Sequence, residues 1–453
     1  MRDILIISIV LVAALAALRR PWLGVLLWVW VSLMNPHRYT FGFAYDAPVA
    51  MLAAVSTLVG LLLTPDKQSP FKAPPVAVFV ALSVWVTISW LMGLDPSGEF
   101  PQWEKVMKIN LMVIVALVLM KTKEHIFCLV WVLTLSIALL SAKGGVFTVI
   151  SGGGFRVWGP PGSFVEGNNE FAVATIMAIP LLRFMQLQVK NRWLSRFLLL
   201  TMLLCTASAV GSHSRGALLA IVAMAAVLWW RGQNKGRNGA LFFLIGLGMI
   251  AFMPDNWSQR MDTIETYQED QSALGRFSAW WVSWRIAFAY PFGVGFNITR
   301  PDLFQRFSPY PELGTPVAHS IWFQMLGHHG FVGFLLFVGV WLSTWRCAQG
   351  LRKAAAGNPS LRWCGDLGAM AQVSLVAYFV GGAFLQLGYY DFPYYVMTVV
   401  ALVHAWVKRR AWESEPAVAQ RGWRALIGLG PSVPVADLPT AAPTAPVAAS
   451  VRR

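Results

Sequence analysis

Thirteen apolar runs follow one another through this chain, near residues 3–18, 21–35, 46–64, 75–94, 106–120, 125–142, 169–187, 195–211, 214–231, 239–253, 318–346, 366–388 and 394–407. A water-soluble fold cannot bury so many. Crossing a bilayer takes about 20 residues, fewer for a helix that ends in the interface, so the runs predict about twelve transmembrane helices. The fold class is an all-α polytopic membrane protein, because only helices and closed barrels satisfy their backbone groups in lipid. With 57% of 453 residues hydrophobic and 13% charged, a soluble globule is excluded. A net charge of +15 would also suit a nucleic-acid binder. Here the basic residues stand in short clusters between the runs, which is the pattern of cytoplasmic loops, so the bilayer is the expected partner and nucleic acid is not.

Those clusters fix an expected orientation. Arg19-Arg20, Lys67 and Lys72, Lys121 and Lys123, Lys190 with Arg192 and Arg196, Arg231 with Lys235 and Arg237, Arg346 to Arg362, and Lys408 to Arg410 fall on alternate connections. The remaining connections are acidic or mixed and are expected to face outward, toward a periplasm. The first two runs, parted only by Arg19-Arg20, predict a hairpin of short helices rather than a cleaved signal. Four units follow: 1–253, N-terminal transmembrane helices; 254–318, a large periplasmic loop; 319–410, C-terminal transmembrane helices; and 411–453, a cytoplasmic, partly disordered tail. The tail ends in Pro/Ala/Val-rich sequence from Gly430 that cannot offset its own ordering entropy.

Chemistry concentrates at the outward ends. In GSHSRGALLA, Arg215 opens a helix, where the helix N-terminus and a guanidinium together suit a phosphate oxygen; a snorkelling arginine would also fit. In GRFSAWWVSWRIAFAYPFGVGFN, Arg276, Trp280, Trp284 and Phe288 recur four apart. This predicts an amphipathic interfacial helix, ended by Pro291 and a turn at Gly293 and Gly295, with Arg276 in its first turn able to grip a diphosphate. His319 precedes the next run with Ser320 and Gln324, and its ordinary pKa suits a general base near neutrality, though it could equally be a cap. Gly327, Gly330 and Gly333 predict a smooth face for a neighbouring helix or lipid tail, with His328 and His329 structural. In FRVWGPPGSFVEGNNEFA, Arg156, Asn168, Asn169 and Glu170 lie just before a helix, as sugar ligands or, for the asparagines, as caps. Zinc-type spacing and a D-x-D pattern are absent, so no metal and no cofactor is expected and arginines must supply the positive charge.

SRG at 214–216, GR with Trp280 and P-x-G-x-G at 275–295, and H-S-x-x-x-Q-x-x-x-x-x-G from His319 together resemble the O-antigen ligase/polymerase family of bacterial inner-membrane glycosyltransferases. The resemblance covers roughly residues 21–407. MRDILI and PHRY at 36–39 are similar to its O-glycosylation ligase branch, found with exosortase systems. What the resemblance implies is a GT-C-like, metal-independent, inverting transferase of the inner membrane, with its active site on the periplasmic side. The donor would be an undecaprenyl-diphosphate-linked glycan and the acceptor lipid A core oligosaccharide, as in an O-antigen ligase of lipopolysaccharide biosynthesis. His319, Arg215 and Arg276 match the family's functional residues. Arg156 would join the two arginines on the diphosphate, and Gln324, Trp280, Trp284, Asn168 and Glu170 would position substrate. A monomer is expected. An O-antigen polymerase and a protein O-oligosaccharyltransferase would use the same donor chemistry; a lipid-linked sugar transporter would instead place its charges in mid-helix.

Overall fold

The computed structural model describes residues 1–232, 234–252, 271–415 and 423–429, and among these every regular element is helical. The first two helices, α1 (Arg2–Arg19) and α2 (Pro21–Met34), form the expected hairpin, turned at Arg20 with Pro21 at the first helical position. Then come α3 (Val49–Leu63), α4 (Pro74–Leu91), α5 (Pro96–Leu119), α6 (Lys123–Ile150), α7 (Asn168–Gln188), α8 (Arg192–Val210), α9 (Arg215–Arg231) and α10 (Lys235–Phe252). Past the gap lie α11 (Gln271–Ala289), the short α12 (Pro301–Phe307), α13 (Ile321–Ala356), α14 (Arg362–Gly382) and α15 (Asp391–Lys408). Among the described residues, six segments are both long and apolar enough to cross a membrane: α4, α6, α7, α8, α13 and Pro359–Gly382. The chain is thus a multi-pass membrane protein.

Local sequence explains where the helices start. Asp95, Thr122, Asn191 and Ser214 each cap a helix by accepting a backbone N–H in its first turn. α7 and α15 are apolar almost all round and accordingly buried on nearly every face, forming the axis of the bundle. Small residues let neighbours approach: a methyl at Gly145 of α6 would meet the Leu204 carbonyl of α8 at 2.0 Å. Polar side chains inside the bundle pair with one another, as Ser141 does with Thr175 (2.7 Å) and Asn110 with Ser83 (3.1 Å).

Hydrogen bonds tie the connections into two ends. At the basic end, Gln68 donates to the Leu117 and Met120 carbonyls at 2.9 and 2.7 Å, Arg409 to Gln68 at 3.1 Å, Gln188 to Asp366 at 3.1 Å and Arg231 to the Ala369 carbonyl at 3.3 Å. At the other, the loop end, Asn35 donates to the Pro161 carbonyl at 3.3 Å, Leu94 N–H to Val294 at 3.1 Å and Val157 N–H to Gly211 at 3.2 Å. The basic clusters therefore do share one end, as alternation along the chain requires.

Of the loop at 254–318, residues 254–270 lie outside the described residues, and the remainder is largely helix with a small core of its own: Ala279, Val282, Ile286, Val294, Ile298, Leu303, Phe304 and Ala318. Of the tail at 411–453, residues 411–415 and 423–429 dock on the basic end, where Arg424 pairs with Glu124 at 3.0 Å and Trp131 donates to the Ile427 carbonyl at 3.1 Å. Residues 430–453 lie outside the described residues.

The glycines of α13 do not give a smooth face. Gly330 has φ 65° and ψ −171°, a conformation open essentially to glycine alone, and it breaks the helix. The Trp322 ring lies 5.9 Å from Phe337, residues a straight helix would hold about 22 Å apart. Residues 321–329 are therefore the short arm of a hairpin folded back on 331–356.

Candidate active site

The loop end gathers most of the residues singled out above around the C-terminus of α14. Gly382 packs on Ile321, where a methyl would meet the isoleucine Cδ1 at 2.9 Å, and this fixes His319 two residues upstream. A methyl at Gly216 would lie 3.4 Å from Phe384, which brings the start of α9, and with it Arg215, to the same place. Gly381 packs between Val173 of α7 and Ala220 of α9, so Asn168 and Glu170 stand about one turn above it.

Arg215 is held by the turn before it. Ser214 caps α9 through the Ala217 N–H at 3.2 Å, and His213, at φ 57°, bonds through Nε2 to the Gly153 carbonyl at 2.8 Å. Asn168 was expected to be a cap or a sugar ligand. Gly167 takes the cap position instead, and the Asn168 amide donates to the Ser212 carbonyl at 2.7 Å. Its side chain thus braces the turn that presents Arg215, the more rigid use for a buried amide with a backbone acceptor in reach. Arg156 is exposed, on the loop whose Val157 N–H bonds to Gly211, one turn from Arg215.

His319 sits on a second device. Its φ of 43° is left-handed, a conformation that costs a non-glycine residue about 1–2 kcal/mol and persists only where neighbours impose it. Ser320, not His319, takes the N-cap position of α13. Trp280 imposes part of the shape, donating from Nε1 to the Ala318 carbonyl at 2.6 Å while stacking on Phe323 at 5.1 Å. Its indole is thereby committed to holding His319. Arg276, half-buried, lies in the second turn of α11 rather than the first, as this helix extends back at least to Gln271. The two residues are close enough to interact: burial first, and then the Arg276 charge, hold the His319 pKa below its usual 6.5. A neutral imidazole at pH 7, next to a fixed guanidinium, can accept a proton while the arginine faces negative charge.

Two residues expected to touch substrate point elsewhere. The Gln324 carbonyl oxygen accepts the Gly388 N–H at 3.0 Å and anchors the loop after α14. The aromatic stripe of α11 is not 276/280/284/288: Trp280 faces inward, and the exposed rings are Phe277, Trp281, Trp284 and Phe288. The predicted end of the helix holds, with α11 stopping at Ala289 and Gly293 and Gly295 at φ 84° and 100°. Among the described residues, no group of three or more His, Cys, Asp or Glu side chains is placed to hold a metal ion.

Reasoning from sequence read His328 and His329 as structural but missed the groups that hold them, and it missed Glu99. The Tyr389 hydroxyl lies 2.9 Å from His328 Nδ1 and 2.6 Å from His329 Nε2, whose Nδ1 meets Ser89 at 2.9 Å. This makes the paired histidines the structural lock behind the Gly330 turn. Glu99 accepts the Phe296 and Asn297 N–H groups at 2.6 and 3.0 Å, fastening the turn after α11 to α5. The HH dipeptide and a lone acid among apolar neighbours were the available signals.

Comparison with known proteins divides the chain. Residues 1–190 match a family of unknown function (DUF5935). A comparison with curated proteins finds no match. Residues 200–338 match the O-antigen ligase family, and that stretch carries Arg215, Arg276 and His319 together with the turns that hold them. The likeness to the O-antigen ligase family thus rests on residues 200–338, less than half of the chain.

Proposed function

We propose that this protein is an O-antigen ligase: a glycosyltransferase of the bacterial inner membrane that moves a glycan from undecaprenyl diphosphate to lipid A core oligosaccharide. The observation that carries the reading is the joining of the α11 segment that bears Arg276 to the segment that bears His319, through Trp280 on the Ala318 carbonyl and Gly275 on Pro316, beside the α9 terminus that bears Arg215, within the stretch that matches the O-antigen ligase family. The loop end is periplasmic in this reading, since the opposite end collects the basic clusters. The runs too short or too polar to qualify as spans by themselves cross within the bundle, giving about twelve crossings, residues 1–253 and 319–410 supplying them. Of the segment 254–318, the described part, residues 271–318, forms a wall over the site.

In the proposed reaction the acceptor hydroxyl gives its proton to His319, and its oxygen attacks the anomeric carbon from the face opposite the diphosphate. The bond from that carbon to the diphosphate oxygen breaks, and undecaprenyl diphosphate leaves with the electron pair. Arg215 and Arg276, aided by Arg156, stabilise the charge that develops on it, with no metal ion, and the anomeric configuration inverts. Glu170 lies near enough to the α7 terminus to meet a sugar hydroxyl.

The test is reconstitution of the purified protein, with chelator present, with undecaprenyl-diphosphate glycan and three acceptors in turn: lipid A core, a second lipid-linked glycan, and a serine- or threonine-bearing protein. Transfer to lipid A core alone is expected. Transfer to either other acceptor alone reassigns the protein as a polymerase or a protein glycosyltransferase, and loss of transfer with chelator overturns the arginine mechanism.

A further inference from the structure

The outer face of α11 does something the transfer reaction does not require. Phe277, Trp281, Trp284 and Phe288 follow one another at helical spacing and are all exposed, although the opposite face of the same helix is fully packed. Across from this stripe, α12 and the turn after it form the second wall of an open groove of about 840 Å³. Arg285 projects into it from one wall and Arg306 from the other, beside Trp284, Phe288 and Phe307. Among the described residues, no carboxylate lines it. Each arginine packs over a ring, Arg285 over Trp281 at 5.1 Å and Arg306 over Phe307 at 5.0 Å, whereas nearby Arg300 is paired with Asp302 at 3.2 Å. Two guanidinium groups held by aromatic faces, with no carboxylate of the described residues between them, leave their N–H edges turned to an anion.

We propose that this groove is a binding site for the phosphate-bearing headgroup of an anionic membrane lipid, separate from the Arg215–Arg276–His319 site. The charge of the groove selects phosphate. The stripe selects lipid, because exposed tryptophan and phenylalanine on one helix face at the end of a transmembrane bundle belong at the boundary between headgroups and acyl chains. Arg285 and Arg306 take the phosphate, and Trp284 and Phe288 lie along the first methylene groups of the chains. The site does not depend on the transferase reading, and it would orient α11, and so Arg276 on its inner side, against the membrane surface.

The full chain in detergent, titrated with phosphatidylglycerol, with phosphatidylcholine and with inorganic phosphate and read by native mass spectrometry, tests the proposal. Phosphatidylglycerol should bind about tenfold more tightly than phosphatidylcholine, and Arg285→Gln with Arg306→Gln should remove that preference. Arg285→Lys with Arg306→Lys should keep most of it, which separates charge from misfolding. Brominated phosphatidylglycerol should quench wild-type fluorescence more than it quenches Trp281→Phe with Trp284→Phe. Equal binding of the two lipids, an unchanged preference in the glutamine variant, full competition by inorganic phosphate, or equal quenching with and without the two tryptophans would each overturn it.

Discussion

Replacing Gly330 by alanine tests the element on which the placement of His319 rests. At φ 65° and ψ −171° the residue occupies a region that costs any other amino acid about 1–3 kcal/mol. The added methyl would also meet the Pro291 carbonyl at 2.9 Å and the Gly293 nitrogen at 3.3 Å. Both are backbone atoms of the turn after α11, so they cannot swing aside as a side chain would, and overpacking of this kind costs about 1–3 kcal/mol more. The sum, about 2–6 kcal/mol, is a large part of the stability of an ordinary domain. Gly330→Ala should therefore lower the thermal unfolding midpoint clearly in detergent. The accompanying geometric check is Trp322→Cys with Phe337→Cys, oxidised toward a disulfide in a background whose four native cysteines are replaced by alanine. Crosslinking is expected with Gly330 in place and should fall with Gly330→Ala. Unchanged stability together with no crosslink would mean that α13 is a straight helix, and the placement of His319 would fall with the hairpin.

Further outcomes follow from the site. His319→Ala should reduce glycan transfer by on the order of 10²–10⁴ while leaving the unfolding midpoint unchanged; full activity would remove the base assignment. Because burial and Arg276 shift His319 downward, less imidazole is protonated at any given acid pH than in a free histidine. The acid limb of kcat/KM should accordingly lie below pH 6.5, and Arg276→Gln should move it upward in whatever activity survives. Trp280→Phe keeps the ring on Phe323 but leaves the Ala318 carbonyl without its donor, and transfer should fall about tenfold with KM little changed; equal kcat would show that the indole does not position His319. Glu99→Gln, in which one charge-assisted acceptor becomes a donor facing an N–H, should destabilise the protein by about 1–3 kcal/mol, read from thermal unfolding.

Much of this was legible in the sequence, for physical reasons. Apolar runs and basic clusters report directly on lipid and on sidedness, so helix positions and the shared basic end follow from them, as does the α1–α2 hairpin. Arg215, Arg276 and His319 stood out by the motifs they sit in, and the fold gathers the segments that carry them at the loop end. What escaped was whatever depends on direction rather than on polarity. Spacing by four put Trp280 and Trp284 on one stripe, but helical phase turns Trp280 inward to Ala318 and leaves Trp281 outside. Gly327, Gly330 and Gly333 look alike in sequence, and only the left-handed φ of Gly330 makes one of them a hinge. Asn168 fitted a cap by its position, yet a carbonyl 44 residues away in the chain claims it.

The docked tail has a consequence for how this protein is made. Glu415 accepts the backbone N–H of Lys123 at 3.1 Å and the Trp406 indole at 2.7 Å, so the half-buried start of α6 is completed by a residue translated 292 positions later. Throughout synthesis α6 must sit in the membrane with that N–H bound to water, and it acquires its partner only as the last helices arrive. A ribosome that stops anywhere before Glu415 releases a bundle whose basic end is unlatched, and quality-control proteases that sample that end would meet it in that state.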